Sequence, residues 1–272
     1  MRSKFTEQET EAFYDAEDAV YRSFWDNEGS LHWGYFDQST GKDFLKACAN
    51  LNDIMANMAS IDGASRVLDL GCGNGTTATW LCRSRGCNVV GIDLSGVRIG
   101  NAKEALQSQP QEVKSRLEFE KASATDLPFP EGTFSHVWTQ ATIYHIHDKP
   151  AALNEAYRVL APGGTLVFDD LLKPKADISQ AARTHVYDRL LFDTDFSFQS
   201  YQDALHSAGF RVIESQDLSP HLRTSYQCLA EITEKLVAQG SDNFQHLSYA
   251  YRQMVQAVDN GELGWGLYLC QK

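Results

Sequence analysis

The sequence predicts an α/β fold, a doubly wound and mostly parallel sheet with helices on both faces. Three observations predict it. From Arg66 onward, apolar runs of strand length alternate with longer helical segments, the pattern of successive βαβ units. The runs are nearly continuous in their apolar residues, as strands covered on both faces are. The first run, "RVLDLG", leads into the glycine-rich turn "GCGNG", and the second, "NVVGIDLS", carries Asp93 at its C-terminal tip. In doubly wound sheets that pairing of glycine turn and acid marks the ligand crevice.

Taken in order, residues 7–27 read as a helix, with Phe13, Ala16, Val20 and Phe24 at spacings of three and four. "NEGSLHWGYFDQSTG" is a loop rich in glycine and aromatic residues, and residues 42–60 return to helix with Phe44, Leu45, Leu51, Ile54, Met55 and Met58. The sheet then begins. "RVLDLG" is the first strand, and the helix after it stops at Gly86. "NVVGIDLS" is the second strand, followed by a helix over 96–108. "LEFEKASATDLPFPEGTF" holds a third strand and a proline-rich loop, "SHVWTQAT" a fourth strand, and "KPAALNEAYRVLAPGG" a helix with a Pro-Gly-Gly stop. "TLVFDDLL" is a fifth strand. Residues 173–198 interrupt the rhythm with a helical insertion. A helix over 199–208 ends at Gly209, "FRVIESQDLS" is a further strand, 222–260 is a polar helical insertion, and "GWGLYLCQK" closes the chain as a strand. The organisation is an N-terminal helical region, 1–60, and a main domain, 61–272, with insertions at 173–198 and 222–260.

Composition narrows the function. The 272 residues carry a net charge of −12 and no run of Lys and Arg, which disfavours nucleic acid and anionic membrane surfaces and favours a small-molecule partner. Hydrophobic content of 43% and charged content of 22% are ordinary for a globular protein that buries its own core. The six cysteines form no C-x-x-C pair and no framework, so buried reduced thiols are expected. The first residues lack the apolar core of a signal peptide and no apolar run reaches membrane-spanning length. The expected location is the cytoplasm; composition leaves the oligomeric state open.

The strongest local signal is "VLDLGCGNG", residues 67–75. Glycines at a strand-to-helix turn let backbone approach a ligand and adopt positive φ. Asp93 lies about 20 residues beyond, where doubly wound folds bind ribose hydroxyls. Together they indicate an adenosine-containing cofactor. A nicotinamide dinucleotide would want a third glycine where Thr76 stands, and its pyrophosphate would be repelled by Asp69 inside the first strand. A sulfonium compound bearing an ammonium group suits that carboxylate better.

"VLDLGCGNG", "GIDLS", "ATDLPFPEGTFSHVWTQ" and "EAYRVLAPGGTLVFDD" resemble, in order, the motifs of class I S-adenosylmethionine-dependent methyltransferases, over residues 66–170. The resemblance implies a Rossmann-like, seven-stranded sheet whose last strand, 264–271, is antiparallel beside the sixth. It implies S-adenosylmethionine as cofactor. Asp69, Gly71 and Gly73 would line its methionine end. Asp93 would hold the ribose, with Leu94 and Ser95 beside it. Thr125, Asp126 and Leu127 would edge the adenine, and Thr139 and Gln140 would face the amino group. For Leu94 and Leu127, plain core packing is the competing reading.

A finer resemblance lies in "FYDAEDAVYRSFWDNEGSLHWGYF" and in the C-terminal "NGELGWGLYLCQK". These look like a subset that includes sarcosine/dimethylglycine N-methyltransferases, tocopherol-type methyltransferases and natural-product sugar O-methyltransferases. Members of that subset usually carry glycine after the tryptophan, where this chain has Asp26. The resemblance implies that 1–60 forms a lid, with Tyr14, Tyr21, Trp25, His32 and Tyr35 as lid candidates. Tyr21 and Trp25 would touch the cofactor, Tyr14 and His32 the substrate. Aromatic walls around a sulfonium make electrostatic sense, although Trp25 could equally dock the helix.

Methyl transfer needs alignment and the removal of a proton from a neutral nucleophile. "TIYHIHDK" follows the fourth strand directly, at the edge where such sites form. By resemblance His145 fills the slot of a catalytic histidine and Asp170 that of its supporting acid; a helix-capping loop histidine is the competing reading. Asp148 is expected to cap the next helix. His145 and His147 lack an evident third ligand, so no metal is expected. An amino-acid substrate would need a cationic clamp, for which Arg183, Arg189 and Arg223 are candidates, with Tyr187 and Tyr226 as further pocket residues. A solvated surface is the alternative for each. The expected function is methyl transfer to the nitrogen of a small amine or amino acid. The alternatives are methylation of a sugar or other natural-product hydroxyl, and a non-catalytic cofactor-binding protein.

Overall fold

A computed structural model describes residues 3–26 and 30–272. Positions 27–29 of the N-terminal loop lie outside the described residues. Helix α1 (Glu7–Arg22) opens with a capping box between Thr6 and Glu9, and α2 (Phe44–Met58) with the side chain of Asp43 on the Lys46 N–H. The alternating elements follow: β1 (Arg66–Leu70), α3 (Thr76–Arg85), β2 (Asn88–Asp93), α4 (Gly96–Gln107), the single turn α5 (Gln111–Lys114), β3 (Leu117–Lys121), β4 (Phe134–Gln140), α6 (Lys149–Val159) and β5 (Leu160–Leu172). A short α7 (Gln180–Ala182) runs into a π-helical turn, Arg183–Asp188. Then come α8 (Phe198–Ser207), β6 (Arg211–Asp217), α9 (Ser219–Ala238), α10 (Gln245–Asp259) and β7 (Gly264–Gln271).

The seven strands lie in the order β3-β2-β1-β4-β5-β7-β6, and β7 is antiparallel to both β5 and β6. The expected sheet and its antiparallel last strand are both present. Side chains alternate between two cores, as a period of two requires. On β1, Val67 joins one face while Leu68 and Leu70 join the other; on β7, Trp265 and Leu267 oppose Tyr268 and Cys270. The five cysteines Cys48, Cys72, Cys82, Cys87 and Cys270 are buried and Cys228 is half-buried, all unpaired, as expected of packing thiols. Among the described residues no helix is long and apolar enough to cross a membrane.

Three expectations need adjustment. The first helix stops at Arg22 rather than residue 27, because Phe24 and Trp25 turn away to pack on Phe244, Phe44 and Tyr251. Helix α2 is core rather than cover: Ala47, Leu51 and Met55 have no accessible surface. The 173–198 insertion is helical only in its middle, whereas the 222–260 insertion is a complete helical hairpin whose Leu222, Tyr226, Leu229 and Met254 extend the core.

Candidate active site

The sheet positions one end of the site through backbone alone. After β1 the chain turns through Gly71, Gly73 and Gly75, all at positive φ. A Cβ on Gly71 would fall 2.3 Å from the Thr142 side chain, and one on Gly75 2.4 Å from the Phe119 ring, so conformation and space both demand glycine there. The N–H groups of Gly71 and Cys72 donate to Ile92 O, tying the turn to β2. Asp93 completes the tie: its Oδ2 accepts from the Gly73 N–H at 2.9 Å and its Oδ1 from the Ser95 N–H at 2.8 Å.

A cavity of about 1090 Å³, counting the solvent at its mouth, opens along the C-terminal ends of β1, β2 and β4. Asp69, Gly71, Gly73, Asp93, Leu94, Ser95, Gln140, His32, Tyr14 and His145 line it. Asp69 is 2% exposed, and its Oδ2 is buried without a partner. Burial, with the Asp93 carboxylate adding to it, pushes the Asp69 carboxyl up to about 8. Burial also raises Asp93, against the opposing pull of Arg98 and its two backbone bonds. A buried carboxyl with a free oxygen in a cleft needs a cation, and the ammonium of S-adenosylmethionine supplies one. The residues present therefore fit that cofactor.

Helix α1 lies over this cavity. Glu7 accepts from Ser123 Oγ at 2.6 Å and Thr125 Oγ1 at 3.1 Å, and Glu11 pairs with Lys121. Asp15 accepts from Ser95 Oγ, and the buried Asp18 accepts from Asn74 at 2.8 Å and Asn101 at 3.1 Å beside Arg98. These four acids recur every three or four residues, one face of a helix. Nothing in the sequence singles them out, and only the fold shows that each meets a partner. Arg98 was equally illegible: it is 7% exposed, lines the cavity and lies 4.0 Å over the Tyr14 ring.

His145 sits on a 3₁₀ turn, Ile143–His145, directly after β4. It is 6% exposed; its Nε2 shares a hydrogen bond with the Tyr14 hydroxyl, and its Nδ1 has no partner. Burial first, then Lys149 and Arg98, hold its pKa well below the usual histidine value, so the ring is neutral near pH 7. Its neighbours divide the "TIYHIHDK" segment. His147 Nδ1 faces the Phe5 carbonyl, and Asp148 caps α6 on the Ala151 N–H, as expected.

Behind Tyr14 lies a second chamber of about 410 Å³. Tyr14 and Leu31 line both cavities and so form the partition. The chamber walls are otherwise Phe13, Tyr21, Trp25, Trp33, Tyr144, Leu190, Tyr226 and Tyr251, with one charged group, Arg189. The Arg189 guanidinium touches the His185 carbonyl at 3.0 Å and the Met254 sulfur at 2.8 Å, and among the described residues no carboxylate pairs with it. The Tyr251 hydroxyl is likewise buried without a partner.

This geometry corrects several assignments. Tyr21 and Trp25 line the aromatic chamber, not the cofactor cavity, because the chain bends at Ser23 toward α10. Of the segment expected at the adenine edge, it is Ala122, Ser123 and Ala124, three residues earlier, that line the cavity. Thr125 turns its hydroxyl to Glu7, Asp126 is exposed, and Leu127 is core, its N–H taken by Glu155. Thr139 lines neither cavity. Asp170 does not touch the His145 ring; it accepts from the Tyr144 N–H at 3.0 Å and the Tyr201 hydroxyl at 2.9 Å. Tyr187 donates to the Glu262 carbonyl and stacks on Phe192, outside both cavities. Arg183 is exposed, and Arg223 is paired with Asp259 at the surface. Tyr35 stacks on His221, away from both cavities. Tyr226 and Arg189 do reach the chamber.

Comparisons with known proteins bear on the family and the fold. Residues 68–168 match a family described as a methyltransferase domain. The chain is 31% identical over 94% of its length to a glycine/sarcosine/dimethylglycine N-methyltransferase of Actinopolyspora halophila, spanning 46% of that protein. It is 30% identical over 91% of its length to a 27-O-demethylrifamycin SV methyltransferase of Amycolatopsis mediterranei strain S699, covering 89% of it. In fold it is similar to a cyclopropane synthase of Mycobacterium tuberculosis, with a TM-score of 0.84 and 16% identity, covering 98% of this chain and 99% of that one.

Proposed function

The chain belongs to the S-adenosylmethionine-dependent methyltransferases, and we propose that within this family it methylates the nitrogen of a small amine that carries a carboxylate, such as a glycine derivative. The observation that carries this reading is Arg189. A guanidinium stays charged at any ordinary pH, and even half-burying it among aromatic rings without an anion costs free energy. Among the described residues no acid answers it, and we assign that anion to the substrate. The tyrosine and tryptophan faces around it suit an alkylated amine, whose cationic form is drawn to aromatic rings. A sugar or phenol acceptor offers no anion to Arg189. The name of the N-methylating relative from Actinopolyspora halophila points the same way.

S-adenosylmethionine, when bound, supplies an electrophilic methyl group on sulfur. The chain's own residues supply the rest. Asp69 holds the ammonium of the methionine end, Asp93 the ribose, and the 122–124 segment the adenine. Arg189 anchors the acceptor carboxylate so that its nitrogen meets the partition formed by Tyr14 and Leu31. Helix α1, as a lid, keeps water from both cavities. The amine reaches the site mostly protonated and must lose that proton to become a nucleophile. His145 accepts it, directly or through the Tyr14 hydroxyl, which hydrogen-bonds Nε2.

The reading is tested by measuring S-adenosylhomocysteine-producing turnover with glycine, sarcosine and dimethylglycine beside phosphoethanolamine, sugars and phenols. Turnover confined to hydroxyl acceptors rejects it, and preference for phosphoethanolamine replaces carboxylate by phosphate. His145→Ala is expected to lower kcat by about 10²–10⁴-fold with S-adenosylmethionine affinity unchanged by calorimetry. The base acts when neutral, and its pKa is lowered. Wild-type kcat should therefore hold as pH falls to the ordinary histidine value of 6.5 and decline only below it.

A further inference from the structure

Lys149 is a buried cation that no step above uses. It is 2% exposed at the start of α6 and lines neither cavity. Its Nζ donates to the Ile146 carbonyl at 3.1 Å and to the Asp193 carbonyl at 2.9 Å. Ile146 directly follows His145. On the other side, the N–H of Tyr144, which directly precedes His145, donates to Asp170 Oδ1 at 3.0 Å. Asp170 is itself fixed by the Tyr201 hydroxyl. One buried cation and one buried acid thus hold the backbone on either side of His145. Burying both groups costs free energy that a purely apolar packing would avoid.

We propose that Lys149 is a positioning residue: with Asp170 it clamps the turn that carries His145 and keeps the imidazole at the partition between the two cavities. The proposal rests on the reading of His145 as the base. The charges that bear on each group come from several elements. Tyr14 of α1, Arg98 of α4 and Lys149 of α6 face His145, and Tyr144 packs on it within the turn. Asp170 of β5 and Asp193 and Asp195 of the loop before α8 face Lys149. The Lys149 ammonium also opposes protonation of the neighbouring ring, adding to the effect of burial on His145.

The test uses Lys149→Met and the double variant Lys149→Met/Asp170→Asn, which leaves no lone buried charge of the pair should the single variant fold poorly. Turnover is followed against pH, and the His145 ring is titrated by NMR. In either variant that folds, kcat is expected to fall on the order of 10- to 100-fold, with S-adenosylmethionine affinity retained. The His145 titration and the acid limb of kcat should move up toward 6.5, the ordinary value. Lys149→Arg, which keeps the charge, should move the titration least. An unmoved titration, with kcat lost only in proportion to folded protein, overturns the clamp. A moved titration with normal turnover reports only the lost charge and overturns the clamp, and an active His145→Ala overturns the base reading as well.

Discussion

Arg189→Met is expected to raise KM for a carboxylate-bearing amine by roughly 30-fold or more, because losing one partner of a buried charge pair costs about 2–5 kcal/mol. S-adenosylmethionine affinity should not change, since Arg189 lines only the second chamber. The unliganded protein should be no less stable, and its Tm should hold or rise. Among the described residues the guanidinium has no carboxylate partner; it meets the His185 carbonyl, the Met254 sulfur and the Tyr21 hydroxyl. Replacing a half-buried charge that no described acid answers by an apolar side chain removes part of a desolvation cost. Thermal unfolding and steady-state kinetics check the two halves. A lower Tm with unchanged KM would make Arg189 a packing residue and remove the carboxylate from the proposed substrate.

Asp69→Asn is expected to weaken S-adenosylmethionine binding by about 10- to 100-fold, the worth of a hydrogen bond to a charged group at roughly 1.5–3 kcal/mol. The pH dependence is more telling. Without cofactor the Asp69 carboxyl titrates at about 8, against 3.8 for the free side chain. The folded protein therefore holds a proton that the unfolded chain has already lost across that window. The contribution to stability is full below 3.8 and is lost as pH rises through about 8. An ammonium ligand favours the ionised carboxylate, so wild-type affinity should increase from pH 6 to 8 as that proton leaves. Calorimetry on the Asn variant should show a flat profile over the same range. An equally steep variant profile would place the titrating group elsewhere.

The parts of the site that were legible in the sequence are those fixed by neighbours in the chain. Gly71, Gly73 and Asp93 are set by a turn and a strand tip, and Asp148 by a cap that reaches three residues ahead. His145 follows β4 so closely that strand and 3₁₀ turn alone deliver it to the cleft edge. The misplacements share a cause of another kind. Thr125, Asp126 and Leu127 were displaced because Ser123 bridges Asp126, which turns the chain before those side chains reach the cavity. Asp170 lies on the strand tip as expected, yet its oxygens are claimed by Tyr201 and the Tyr144 N–H, so it holds the turn that carries His145 and does not reach the ring. Tyr187 was lost to the Glu262 carbonyl, 75 positions away. Each of these is a competition between a local signal and a distant partner.

By itself the sequence determined the sheet, its glycine turn, the acids Asp69 and Asp93 of the crevice and the histidine beside them. All of these follow from strand periodicity, backbone conformation and the cost of burying charge within short segments. Only the tertiary structure decided which of three candidate arginines lines a cavity, and that Tyr14 stands between two cavities. The second chamber gathers side chains from α1, the loop at Leu31 and Trp33, the turn after β4, the residues just past the π-helical turn, α9 and α10. No periodicity links positions 14, 144, 189, 226 and 251. They meet because the apolar faces of α9 and α10 pack onto the sheet core and carry Tyr226 and Tyr251 with them.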